Sequence, residues 1–182
     1  MNIGDAQRDL RRAYVGGGPG LFVSALVWFT AAAVERGHGI REAFVVLFLG
    51  GMLIFPLATL ASRLLFHRKK EASENPLGKL ALESTIAMIG GLFAAWLILP
   101  HRPDFVFPLA AIAVGTHYAV FKTVYGEPLF WVVGALITGV GFITIHEVVA
   151  VPGGPVMAVG AIELLFAVLL TWRGLKVERL ST

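Results

Sequence analysis

Residues 110–122 read AAIAVGTHYAVFK: an apolar run that holds one imidazole, His117, well inside it and ends on Lys122. Such a run belongs in a soluble core or in a bilayer, and the rest of the chain decides which. The protein has 182 residues, 57% hydrophobic and 15% charged. A soluble domain carries roughly 25% charged residues. Here the few charges gather at the ends of apolar stretches, each close to the ~17–25 residues that cross a bilayer core. The reading is all-α: a polytopic transmembrane helical bundle.

Working outward, proline and glycine punctuate six expected spans in a single domain, 1–182, at about 19–35, 42–66, 78–99, 105–121, 128–145 and 155–172. Pro19, Pro128 and Pro155 stand at helix starts, where a missing N–H costs nothing. Pro56 falls inside the second span, where a kink is expected. The longest polar connection is the loop 67–77, in which Asn75-Pro76 marks a turn or a helix start. Before the first span, Asp5 to Tyr14 reads as a short amphipathic helix on the membrane surface, ended by the glycines 16–18. A signal peptide is the rival reading of this region: Arg11 and Arg12 precede an apolar stretch and Ala31 to Ala33 offer a cleavage site. Small residues at Ala87, Gly90, Gly91 and Ala94 suggest close helix packing on the third span.

Lys and Arg set the expected orientation. With both termini cytoplasmic, twelve of the fifteen lie inside, and only Arg36, Arg41 and Arg102 lie outside. Trp131 and Trp172 then sit at the inner interface and Trp96 near the outer one, whereas Trp28 fits no belt and is expected between helices. The net charge of +3 does not point to nucleic acid, because the basic residues form no single folded face. With no cysteine, disulfides, thiolate metal sites and cysteine nucleophiles are excluded.

Intramembrane ionisable groups are costly and mark candidate sites. Glu163 lies near the middle of the sixth span. His117 lies about 6–8 Å from the inner end of the fourth, and Glu83 at a matching depth in the third. Spans three and four are antiparallel neighbours across a tight loop, so a Glu83–His117 pair is expected, with Glu163 a deeper third member of a proton- or ligand-binding group. Each has a plainer reading: His117 as a neutral histidine bonded to the next helix, Glu83 as a headgroup-facing carboxylate or a partner of Lys79, and Glu163 as a protonated, hydrogen-bonded acid. Tyr118, Ser84, Thr85 and Thr138 can supply hydroxyls across helices. His146 and Glu147 read as a solvated rim. No metalloprotease, nucleophile-elbow or P-loop motif is present, and neither metal nor cofactor is expected.

Asn75-Pro76-Leu77 opening a span, and Gly115-Thr116-His117 followed by Phe121 and Tyr125, resemble an uncharacterised family of small bacterial integral membrane proteins, a domain of unknown function. The likeness extends over about residues 10–145. It implies a bacterial plasma or inner membrane location, adds Tyr125 to the candidates beside His117, and supplies no activity. Glu83 departs from the family pattern.

Three functions compete. The first is a small transporter or permease-like protein with a polar path past Glu163, His117 and Glu83. The second is a non-catalytic accessory or structural membrane protein. The third is a lipid-modifying enzyme using Glu83 and His117, with Lys79 or Lys122 on a phosphate. The expected partners are the lipid bilayer and either further copies of the chain or another membrane protein.

Overall fold

Glycine and proline set the helix boundaries much as their chemistry dictates. The computed structural model describes residues 1–179, with side chains to residue 176, so the side chain of Arg179 lies outside the described part. The order is α1 (Ile3–Ala13), a 3₁₀ turn at Val15–Gly17, α2 (Gly18–His38), α3 (Ile40–Leu64), α4 (Pro76–Ile98), a second 3₁₀ turn at Pro103–Phe105, α5 (Val106–Tyr125), α6 (Leu129–Ile145) and α7 (Gly154–Arg179). No strand occurs among the described residues. The segments containing α2, α3, α4, α5 and α7 are each long and apolar enough to cross a membrane. The sixth apolar helix, α6, has 17 residues and reaches about 26 Å at 1.5 Å per residue. The fold is a helical membrane bundle with five long candidate spans among the described residues and one shorter apolar helix.

The bundle is built around α2, α5, α6 and α7. Helix α5 runs along α6, and α2 runs along both α3 and α7. Among the spans, helix α4 leans mainly on α5, with a ring contact to α3 at Phe44–Trp96, and α3 is covered mainly by α2. Gly115 and Gly134 bring α5 and α6 into backbone contact. A Cβ on Gly115 would stand 2.6 Å from the Thr138 nitrogen and 2.7 Å from the Gly134 carbonyl oxygen. Packing of this kind is how helices associate in lipid, where no hydrophobic driving force separates helix from tail.

On α4 the packed face differs from the expected one. Ser84, Met88, Gly91, Leu92 and Ala95 follow the helical repeat and turn toward the bundle. Ala87, Gly90 and Ala94 are exposed, and Gly90 has open space where a side chain would go. One small residue, Gly91, makes the close approach, 2.8 Å from its Cβ position to the methyl of Ala113.

Helix α1 is capped by Asn2, whose side chain accepts the Asp5 N–H. Rather than lying on lipid alone, it packs on the protein's own end. Ala6 and Leu10 pack against Leu77 and Val124 in a small cluster apart from the main core. Its polar side chains reach neighbouring loops. Gln7 Nε2 donates to the Thr123 carbonyl at 2.8 Å, and Arg11 donates to the Tyr125 carbonyl. Asp9 accepts from the Ala72 N–H at 2.8 Å and from Asn75 Nδ2 at 3.1 Å. Arg12 reaches the carbonyls of Lys69 and Lys70. We call this end, which gathers α1, the 65–75 connection, the α5–α6 turn and the end of α7, the basic face.

Trp28 is 1% exposed and packs between helices as its sequence position suggested. Trp131 and Trp172 are exposed, with Lys122 and Lys176 over their rings at 4.8 and 5.1 Å.

Candidate functional site

Three faces of α5 do three jobs. Gly115 and Ala119 meet α6. Ala113 and His117 meet α4. Val114 and Tyr118 turn into the buried core. The adjacent residues His117 and Tyr118 therefore reach different partners.

His117 Nδ1 lies 2.8 Å from the Ser84 hydroxyl. The edge of its ring meets Phe121, with centroids 4.5 Å apart. The expected Glu83–His117 pair does not form. Glu83 is exposed, and the residue one step along α4 takes its place. The reason is helical register: Ser84 shares the face of Gly91 and Ala95, whereas Glu83 is turned by about 100° from it. His117 is also deeper along the helix than the apolar run suggested. Because α5 continues to Tyr125, eight residues on, His117 lies about 12 Å from its end.

Glu163 is 0% exposed. It lies nine residues into α7, about 14 Å from its start. The Tyr118 hydroxyl donates to its Oε1 at 2.8 Å. Ser24 and Trp28 of α2 complete the wall around the carboxyl, at 3% and 1% exposure. Its Oε2 has no hydrogen-bond partner among the described residues. No described lysine, arginine or histidine forms an ion pair with it. An unpaired carboxylate buried in this way is among the most expensive groups a fold can hold. The site thus joins three helices, α2, α5 and α7, around a single acid.

Tyr125 stands between this site and the basic face. Its ring stacks on Phe130 at 5.3 Å, and Phe130 stacks on Tyr118 at 6.4 Å. The sequence grouped Glu163 with His117 and Glu83 and offered Tyr118 as a hydroxyl donor, whereas the structure bonds Glu163 to Tyr118 and leaves His117 with Ser84. Ser24 was missed. A lone serine in an apolar helix carries no signal until α2 is known to lie against α7. Two surface depressions, of about 420 and 460 Å³, lie at the α6–α7 connection and between α5 and α6, and neither is lined by Glu163. Among the described residues no three His, Asp or Glu side chains converge as a metal site would require.

A model of one protein family, described as a family of unknown function (DUF7010), matches residues 3–173. The chain belongs to this family. The DUF7010 match begins at α1 and includes Ser24, Trp28, Tyr118 and Glu163, so the whole site lies within the family's domain. It agrees with the resemblance to an uncharacterised family and attaches no activity to it. No curated protein and no solved structure matches the chain.

Proposed function

We propose that this DUF7010 protein is a small proton-linked membrane carrier, in which Glu163 takes up and releases the proton and Tyr118 positions it. The observation that supports this most is the fully buried, half-satisfied carboxyl of Glu163. A carboxyl group with no counter-cation is relieved of its charge most simply by a proton. Three polar side chains are too few oxygen ligands for a hard metal cation, which takes about six to eight when it is calcium. Mid-helix acids facing a bundle interior are the usual proton stations of membrane carriers. The orientation that goes with this reading puts the basic face in the cytoplasm, from the excess of Lys and Arg there. A bacterial plasma membrane location belongs to the same reading.

The test is proton movement into proteoliposomes that contain a pH-sensitive dye, driven by an imposed membrane potential. Flux above that of protein-free vesicles that falls with Glu163→Gln supports the carrier. Flux equal to empty vesicles contradicts it.

The second reading, a non-catalytic accessory protein, has its own observation. Helix α4 exposes Leu82, Ile86, Phe93 and Leu97 along one side, and its main packing against another span is that on α5. A stoichiometric membrane partner recovered from native membranes, lost with bulky changes at Gly90, would favour it.

A further inference from the structure

The Glu163 carboxyl and the basic face are joined by a continuous set of packed groups. Tyr118 contacts Glu163, Phe130 stacks on Tyr118, and Tyr125 stacks on Phe130. Gly17 lies against the outer end of this set. A Cβ there would stand 2.9 Å from the Phe130 ring and 3.1 Å from the Tyr125 ring. The chain then turns directly into α1, whose Arg11 holds the Tyr125 carbonyl. So α1 and Gly17 cover an aromatic column that leads from the basic face to the site.

Two features separate α1 from an ordinary packed helix. First, it is fastened largely by polar contacts at its edge. Gln7, Asp9, Arg11, Arg12 and Tyr14 all bond to loops or helix ends, while its apolar contacts form a satellite cluster outside the main core. Second, it is attached through three successive residues with left-handed backbone: Val15 at φ 49°, Gly16 at 66° and Gly17 at 84°. Glycine takes this conformation freely, but a β-branched residue takes it under strain. Val15 is held there by its burial against Gly174 of α7. A strained residue next to two glycines is where a segment swings when its contacts are released.

We infer that α1 is a lid over the Glu163 site, hinged at Val15–Gly17, and that its docking controls access of water and protons from the basic face. Docked, it closes the column at Tyr125. Released, it withdraws Arg11 from the Tyr125 carbonyl and uncovers the outer end of the Tyr125–Phe130 stack. This rests on the carrier reading for its purpose, but the motion itself is tested without reference to flux.

The native chain has no cysteine, so a single thiol reports access cleanly. Ser24→Cys places it in the wall of the site, and its rate of reaction with a membrane-impermeant methanethiosulfonate is measured from the basic face. Adding Asp9→Ala and Tyr14→Phe removes edge contacts worth about 1 kcal/mol each, and the expected rise in rate is about 5–30-fold. Fastening α1 without a second thiol, by Gln7→His with Thr123→His bridged by Ni²⁺ before the impermeant reagent is added, is expected to abolish the reaction, and chelating the Ni²⁺ restores it. The linked form cannot owe its effect to unfolding, since it is held in the native arrangement. A rate unchanged by either linking or loosening overturns the lid. If the rate follows α1 while vesicles carry no protons, the lid stands and the carrier reading falls.

Discussion

The Tyr118 hydroxyl donates to Glu163 Oε1 at 2.8 Å and ties the middle of α5 to the middle of α7. This bond pairs two groups that lipid would reject, both buried inside the bundle. It leaves the second carboxyl oxygen unsatisfied, and the consequences of that asymmetry can be measured.

Replacing Glu163 by Gln keeps the shape and an acceptor for Tyr118 while removing the titratable group. The expected result is a thermal stability in detergent equal to or above the parent's, with proton flux lost. Glu163→Ala instead orphans the Tyr118 hydroxyl and opens a cavity, and a loss of about 2–4 kcal/mol is expected. A fluorescence-detected melt separates the two: equal losses for both variants would contradict the account.

Ser84→Ala removes the one polar partner that His117 has among the described residues. Interhelical bonds of this kind in membranes are worth about 0.6–2 kcal/mol, and a drop in stability of that size is expected. Glu83→Gln, one residue away, should change stability by less than about 0.5 kcal/mol. A double-mutant cycle between residue 117 and each of 83 and 84 checks it. Coupling at 83 rather than 84 would show that the register is wrong.

Gly115→Ala drives a methyl into the α6 backbone, and a loss of about 1–3 kcal/mol is expected. Gly139, on the same helix pair, has nothing within 4 Å of its Cβ position. Gly139→Ala should be neutral or slightly stabilising, since alanine favours helix by about 1 kcal/mol. Parallel melts of the two variants decide the packing of α5 on α6.

Docking of α1 should weaken in acid. Burial raises the pKa of Asp9, but the bonds from Arg12, the Ala72 N–H and Asn75 outweigh it and hold the carboxyl below the usual range. A depressed folded pKa means the stabilisation is present above the unfolded value and is lost as pH falls through the folded one. Hydrogen exchange of α1 and of residues 70–75, corrected for intrinsic rates, should therefore speed up below the ordinary aspartate range, and Asp9→Asn should remove that dependence. The Tyr14 phenol, held high by burial and by Glu71, stays protonated throughout and does not confuse the reading.

How legible was this in the sequence? The helices were, because Pro19, Pro76, Pro128 and Pro155 mark starts by backbone chemistry and apolar length does the rest. Glu163 was legible as the costliest acid in the chain. Its partner was not, since Tyr118 and His117 are adjacent and only the packing of α5 against both α4 and α7 assigns one to each. Glu83 failed as a partner through one residue of register, and Ser84, Met88, Gly91 and Ala95 held the clue as a helical stripe. Helix α1 looked like a surface helix, for amphipathicity does not distinguish lipid from the protein's own loops.

The central claim is that Glu163 exchanges a proton inside the folded bundle. Infrared difference spectroscopy of the membrane-embedded protein, titrated in pH and repeated in deuterated water, addresses it directly. The account predicts a protonated-carboxyl C=O band that changes with pH, shifts with deuteration and is missing in Glu163→Gln. A Glu163→Gln spectrum identical to the parent's at every pH would contradict it.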